Sequence, residues 1–182
     1  DLKVARQSLQ MIFQDPFASL NPKMTVLEAV SDPLLLHGLA TKTSAKEKVR
    51  SLLQQVGLTP VDDFINRLPS HLSGGQQQRV AIARSLALSP KVLVCDESIS
   101  MLDLEIQADI LNLLRLLQKK LGLAIVFITH DLSVASSFCH RVIVLDRGRI
   151  TEEGPAEQIF QAPQSSLTKE LVRSSPTMIS PI

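Results

Sequence analysis

Asp96 and Glu97 close the apolar run Val92-Leu93-Val94-Cys95. Adjacent carboxylates at the end of a buried strand suit a divalent metal ion and a water molecule. Upstream, Leu72-Ser73-Gly74-Gly75-Gln76 is a polar, glycine-paired turn leading into an amphipathic helix. Ser73 can cap that helix, and the glycines leave amide N–H groups uncovered at its positive end. Such an end holds an anion, above all a phosphate, through free amides and the helix dipole. Together the two stretches speak for nucleotide chemistry. Cleaving a nucleoside triphosphate needs a metal on the phosphates, an activated water and donors around the developing charge. Asp96 is then the candidate magnesium carboxylate, acting through water, and Glu97 the candidate base or water-orienting group. Read alone, the pair is also what a strand-to-loop junction carries by chance.

Three more residues sit where they could join this chemistry, each with a plain alternative. His130 follows the apolar segment Phe127-Ile128-Thr129, at a strand's C-terminal edge, where open α/β sheets bind ligands. It could donate to a γ-phosphate and hold a water in line; the alternative is a helix-capping or loop histidine. Gln14 ends the first strand and could touch magnesium or water through its amide, or be a polar residue before a turn. Asp103 reads as a helix cap. His37, His71 and His140 have no such placement and read as structural. Cys95 reads as a small core residue.

These residues need elements to hold them. Leu9 to Phe13 reads as a short, largely buried strand, ending at Gln14-Asp15-Pro16. Thr25-Val26-Leu27-Glu28 is a capping box, and Ser44-Ala45-Lys46-Glu47 repeats the device at the start of a second helix. Val49, Leu52, Leu53 and Val56 make that helix's apolar stripe, and Gly57 stops it. Residues 17–75 are thus helix and loop without strand signals. After the helix that follows Ser73, strand 92–96 leads to a long stripe, Ile106, Ile110, Leu113, Leu114, Leu117 and Leu121, closed by Gly122. Residues 124–129 are continuously apolar, as in a strand covered on both faces. A short helix over 131–138, a strand at 142–145 and a turn at Arg147-Gly148 follow. Alternating strand and helix indicates an α/β domain with a mainly parallel sheet.

Composition bounds the rest. The 182 residues suffice for one domain with a substantial core, and the net charge of +1 shows no nucleic-acid footprint. Two distant cysteines match no metal-ligand spacing and fit a reducing, free-thiol setting. No apolar run approaches the roughly 18 residues that span a bilayer. The first residues are not a signal peptide. They lack an initiator methionine, turn or cap, and read as the middle of a domain.

The order and spacing of Gln14, the 72–76 turn, Asp96-Glu97, Asp103 and His130 resemble the ATPase domain of ABC transporters, from the first residues to about residue 173. The turn followed by Gln77-Gln78-Arg79-Val80-Ala81-Ile82-Ala83-Arg84 is highly specific to it. The resemblance implies a RecA-like P-loop NTPase core at 1–16 and 76–173, a helical subdomain at 17–75, and a frayed tail at 174–182. It implies ATP and Mg2+ as ligands. Gln14 matches the Q-loop glutamine. Ser73, Gly74, Gly75 and Gln76 match the signature that grips ATP held by the opposite subunit. Asp96 matches the magnesium aspartate, Glu97 the catalytic glutamate, Asp103 the D-loop aspartate and His130 the switch histidine. Implied partners are a second ABC ATPase subunit in a head-to-tail dimer, two transmembrane permease subunits and, indirectly, a periplasmic or extracellular binding protein. The implied location is the cytoplasmic face of a bacterial inner membrane, held peripherally. Residues 13–22 and the tail from Gly154-Pro155 to Leu171 look like the peptide and nickel importers. Residues 96–104 lean towards the nickel or metallophore branch.

Departures from the family pattern also count. The chain has no Gly-x-x-x-x-Gly-Lys-Ser/Thr loop, its first glycine being Gly38, and no Tyr or Trp to stack on adenine. Ser98 stands where proline or alanine is usual. With only Cys95 and Cys139, the iron–sulfur cluster of some relatives cannot form. The expectation is therefore a fragment, N-terminally truncated, inactive alone and prone to aggregate through exposed sheet edges. Its alternative is a half-module that presents only the signature turn to a complete partner. A soluble ABC ATPase of DNA repair or translation would need coiled-coil arms or a tandem domain, and neither is visible.

Overall fold

The computed structural model describes residues 2–175. It divides into two compact units, Asp1–Ile128 and Thr129–Ile182. In chain order the first holds α1 (Leu2–Ser8), β1 (Leu9–Ile12), α2 (Pro16–Ser19), α3 (Val26–Leu36), α4 (Lys42–Gln55), α5 (Gly74–Leu86), β2 (Val92–Asp96), α6 (Leu104–Leu121) and β3 (Ala124–Ile128). Short 3-10 turns at Val61–Asp63 and Pro69–His71 link α4 to α5.

Helix α5 is the hub of this unit. Val80, Ile82 and Ala83 are wholly buried, and residues around the full circumference are inaccessible, as befits a helix packed on all sides. It touches α2, α3, α4 and β1. Its polar side chains reach across to loops that need donors. Arg79 Nη1 donates to the Val56 carbonyl at 2.6 Å, closing the C-terminal end of α4. Arg84 Nη1 donates to the Ser19 carbonyl at 2.6 Å, at the end of α2. Cationic donors suit the orphan carbonyls of helix ends. Gly57 has a φ of 75° and a Cβ there would lie 2.9 Å from Arg79 Nη1, so glycine serves both the left-handed turn and the arginine's passage.

The three strands are parallel in the order β1-β2-β3, with Ile12, Cys95 and Phe127 on one rung. Central β2 buries Leu93 and Cys95 completely. The edge strands depart from the sequence expectation. Of β1 only Ile12 is buried, and Leu9 is 50% exposed; in β3, Val126 and Ile128 are 50% and 47% exposed. An apolar run records what a strand can bury, whereas burial at an edge depends on which helices cross it. Here α5 packs against β1, and β3 keeps one face open.

Three further details differ from the sequence reading. Residues 2–8, for which the sequence predicts no element, form α1, and Gln7 Nε2 meets Nδ1 of His37 at the C-cap of α3, 3.0 Å apart. Helix α4 starts three residues early. Thr41 is its N-cap, and Ser44 is the third helical residue of the box, not the cap. Two hydroxyl residues three apart can each open a helix, and the earlier one also buries Ala45. In α6 the stripe holds at Ile110, Leu113, Leu114 and Leu117 but frays at Leu121, 44% exposed beside Gly122.

The second unit contains α7 (Leu132–Phe138), the antiparallel pair β4 (Arg141–Asp146) and β5 (Arg149–Pro155), α8 (Ala156–Gln161) and α9 (Ser166–Ser174). Arg147 and Gly148 have φ values of 46° and 77°, the two-residue hairpin turn that matches strand twist. This hairpin is a sheet of its own, so among the described residues parallel pairing is confined to β1–β3. Glu152 on β5 accepts the Gln164 and Ser165 amides at 2.8 and 3.0 Å. Bonds from Thr168, Gln164 and Ser165 hold its carboxyl down at about 2. The frayed tail read at 174–182 lies, from residue 176 on, outside the described residues.

Candidate functional site

The 72–76 segment is less a turn than the opening of α5. Ser73 is the N-cap; its hydroxyl accepts the Gln76 amide at 3.3 Å, and Gln76 Oε1 accepts the Ser73 amide at 3.0 Å. Gly74 and Gly75 are the first helical residues, with amides that have no intrahelical acceptor. No acidic residue occupies the first turn, so the positive end of the helix is left unneutralised. Behind it, buried Gln77 donates through Nε2 to the carbonyls of Pro69 and Leu72, at 2.9 and 3.2 Å. That pins the approach loop. Sequence marks Gln77 only as part of the specific run after the turn; two glutamines inside an otherwise buried helix are the signal for this structural role.

The second group lies at the C-terminal edge of the parallel strands. Asp96 is the last residue of β2, opposite Ile128 of β3. Glu97 follows with a φ of 44°, a left-handed conformation that costs a non-glycine residue about 1–2 kcal/mol. Its amide donates to the Ile128 carbonyl at 2.9 Å. Its carbonyl accepts Ser100 twice, from the amide at 3.0 Å and the hydroxyl at 2.9 Å. Gln14, two residues beyond β1, donates from Nε2 to Glu97 Oε2 at 2.8 Å. Gln14 is thus not merely a polar residue before a turn: it reaches across β2's end to a carboxylate 83 positions away. Ser98 is buried, and among the described residues nothing bonds its hydroxyl.

Asp103 is the N-cap of α6, its Oδ1 accepting the Ile106 amide at 3.0 Å. In the second unit His130 is exposed and precedes the cap of α7 instead of forming it. Asp131 is that cap, accepting the Ser133 amide at 2.8 Å and the Ser133 hydroxyl at 2.6 Å. Burial pushes the Asp131 carboxyl up, but these bonds outweigh it and hold the group below the usual range. Burial raises the Cys139 thiol, the opposite of a reactive thiolate.

The structure therefore brings Gln14 to Glu97, and Asp103's helix to the glycines of α5, where a Cβ on Gly75 would lie 2.7 Å from Ile106 Cγ2. Among the described residues no three His, Cys, Asp or Glu side chains form a metal cage. Magnesium needs none, since it takes one or two carboxylates and draws its other oxygens from phosphate and water. Asp96 ends β2, and Gln14 lies two residues beyond the neighbouring β1, so both stand at strand ends where that limited share could be supplied.

The model of the ABC transporter family matches residues 1–100. The chain belongs to the ABC transporter family. It is 45% identical over 175 residues to a glutathione import ATP-binding protein of Pectobacterium atrosepticum, covering 96% of this chain and 28% of that one. It is 46% identical over 177 residues to a putative peptide import ATP-binding protein of Brucella ovis, covering 97% and 55%. The chain spans about half, or less, of these curated relatives. Among solved structures, cbiO1 from Clostridium perfringens, part of the ABC transporter complex cbiONQ, matches with a TM-score of 0.76 at 31% identity over 92% of this chain and 62% of that one. The ATP-binding cassette MJ0796, solved as a dimer in a post-hydrolysis state with ADP and Pi, gives 0.72 at 34% identity, over 85% and 66%. This ABC transporter chain thus has the α/β fold of ATP-binding cassettes in part. No described helix of it is long and apolar enough to cross a membrane.

Proposed function

We propose that this chain is part of the ATP-hydrolysing subunit of an ABC importer for peptides or for nickel and other metal chelates. The observation that carries the reading is the 2.8 Å bond from Gln14 to Glu97 at the strand ends. It puts a neutral amide on Glu97, the carboxylate placed to act as a base. Supporting it are the positive N-terminal end of α5, which no acidic residue neutralises, and the import ATP-binding proteins among the relatives.

In this reading the Ser73 hydroxyl and the Gly74, Gly75 and Gln76 end of α5 grip ATP held by the opposite subunit of a head-to-tail dimer. Glu97 orients a water and takes its proton. The water oxygen attacks the γ-phosphorus in line, and the bond to the β–γ bridging oxygen breaks, leaving ADP. His130 donates to the γ-phosphate, and Asp103 fixes the start of α6 beside the turn. Magnesium, when bound, neutralises phosphate charge; Asp96 would hold it through water, with the Gln14 amide as a further oxygen donor. Residues 1–16 and 76–173 are the RecA-like core and 17–75 the helical subdomain, which receives two permease subunits. A cavity of about 590 Å³ between β1, α3 and α5, lined by Leu9, Phe13, Leu36 and Arg84 among others, suits a cytoplasmic permease segment. The subunit would then sit peripherally on the cytoplasmic face of the inner membrane, with a separate binding protein delivering cargo.

Glu97→Gln in the complete subunit tests the base. ATP turnover should fall by at least about a hundred-fold; undiminished turnover would remove Glu97 from that role. Residues 1–182 by themselves hold no Gly-x-x-x-x-Gly-Lys-Ser/Thr loop and should show no MgATP hydrolysis; robust turnover by them would mean that the site works without such a loop.

A further inference from the structure

Gly75 needs no unusual backbone: its φ is not positive, and it sits in the first turn of an ordinary helix. What demands glycine is space. A Cβ there would meet Ile106 Cγ2 at 2.7 Å and Cδ1 at 3.5 Å, and one on Gly74 would meet Leu102 Cδ2 at 3.4 Å. Separations below 3.0 Å force something to move, so the backbone of the turn rests directly on the Ile106 methyl. Ile106 is itself held firmly. Its amide is bound to Asp103 Oδ1 at 3.0 Å, and the Leu102 carbonyl accepts Gln107 Nε2 at 2.9 Å. The Leu102 amide in turn donates to the Ile99 carbonyl at 3.1 Å, and Ser100 is tied to the Glu97 carbonyl. The segment from Glu97 to Gln107 is one bonded run that ends in a side chain under the signature glycines.

We propose that Ile106 is a positioning residue for ATP binding: its β-branched methyl seats Gly75 and fixes where the Ser73 hydroxyl and the first-turn amides of α5 stand. The inference rests on the reading of 72–76 as an ATP grip. It goes beyond it by making the first turn of α6 the support of that grip. Ile106 touches no nucleotide in this scheme. Its effect passes through the height of the Gly75 backbone, and a β-branch is required because the contacting atom is Cγ2.

Ile106→Leu in the complete subunit keeps the volume and removes the methyl at that position. The expected result is a rise in KM for ATP of about five-fold with kcat kept within about two-fold, the pattern of lost binding rather than lost chemistry. The melting temperature should stay at the wild-type value, which a purely structural role would not predict if the kinetics moved. A second arm uses steric rescue. Gly75→Ala should raise KM strongly, and adding Ile106→Ala, which clears Cγ2, should recover part of the loss, a coupling that independent sites do not show. Unchanged kinetics in Ile106→Leu, or a Gly75→Ala defect that Ile106→Ala leaves as it was, would overturn the proposal. Ser73→Ala separates the two levels. If Ser73→Ala raises KM and Ile106→Leu does not, the seat is wrong and the grip stands; if neither raises it, the grip itself is wrong.

Discussion

Helices α3 and α5 open with the same reciprocal box and differ in its charge. At α3, Glu28 accepts the Thr25 amide at 2.7 Å and the Thr25 hydroxyl at 2.9 Å. At α5, Gln76 accepts the Ser73 amide at 3.0 Å. As helix starts the two are equivalent, since each satisfies two orphan donors. As electrostatic objects they are opposites. A carboxylate in the first turn cancels the positive pole of the helix, and α3 is thereby finished within the chain. An amide cancels nothing, so α5 keeps a pole that an external anion can use. The glycines add to the contrast: α3 carries side chains at its first positions, whereas α5 presents bare backbone there. Helix capping alone does not separate a structural start from a binding one: the α4 box of Thr41 and Ser44 is uncharged too but carries side chains at its first positions, and of these helices only α5 joins an uncharged third residue to two glycines.

The sharpest way to break this contrast is to exchange the charge. Gln76→Glu should strengthen the box and leave the subunit as stable or slightly more so, by about 0.3–1 kcal/mol. ATP binding should nevertheless weaken by about ten-fold, a like-charge penalty of about 1–2 kcal/mol at partly screened range. Nucleotide titration of the complete subunit, beside thermal melts, reads both. Tighter ATP binding in Gln76→Glu would defeat the electrostatic account. Next in size is deletion of the caps. Ser73→Ala and Thr25→Ala should each cost about 1 kcal/mol in denaturant unfolding. Only the first should also raise KM for ATP. Equal kinetic damage from both would mean that the helical region is merely being loosened.

Much of this was open to reading in the sequence, and the misses have a common cause. Both boxes are three-residue spacings, so they are visible in the chain itself, as are the Gly57 and Gly122 stops. Thr41 was the partial exception, because Thr41 and Ser44 offer two valid starts and tertiary burial of Ala45 goes with the earlier. The ends of β2 and β1 were also legible, but the bond from Gln14 to Glu97 was not, since nothing local couples residues so far apart. The same holds for Gln77 under Pro69 and Leu72, and for Ile106 under Gly75. Local rules gave helices, caps and strand ends. Which apolar face is covered, as at Val126 and Ile128, and which glycine is there for space, depend on the neighbour that arrives in three dimensions.

The smallest effect is also the cleanest discriminator between the two boxes, because it changes no residue. The bonds from the Thr25 amide and then its hydroxyl hold the Glu28 carboxyl below the usual carboxylate range. A group whose folded pKa is depressed contributes stability above its unfolded value, near 4.5, and loses it as pH falls through the lower folded value. The α3 start should therefore loosen on acidification below about pH 4. The α5 box contains a hydroxyl and an amide, which do not titrate in that range. In amide NMR spectra recorded from pH 6 to pH 3, the Thr25 N–H should shift as Glu28 takes up its proton. The Ser73 N–H should hold still over the same interval. A shift of both together would report general acid loosening and erase the distinction. A shift of Thr25 alone would show one helix start closed by a charge and the other closed without one, leaving its pole for a phosphate.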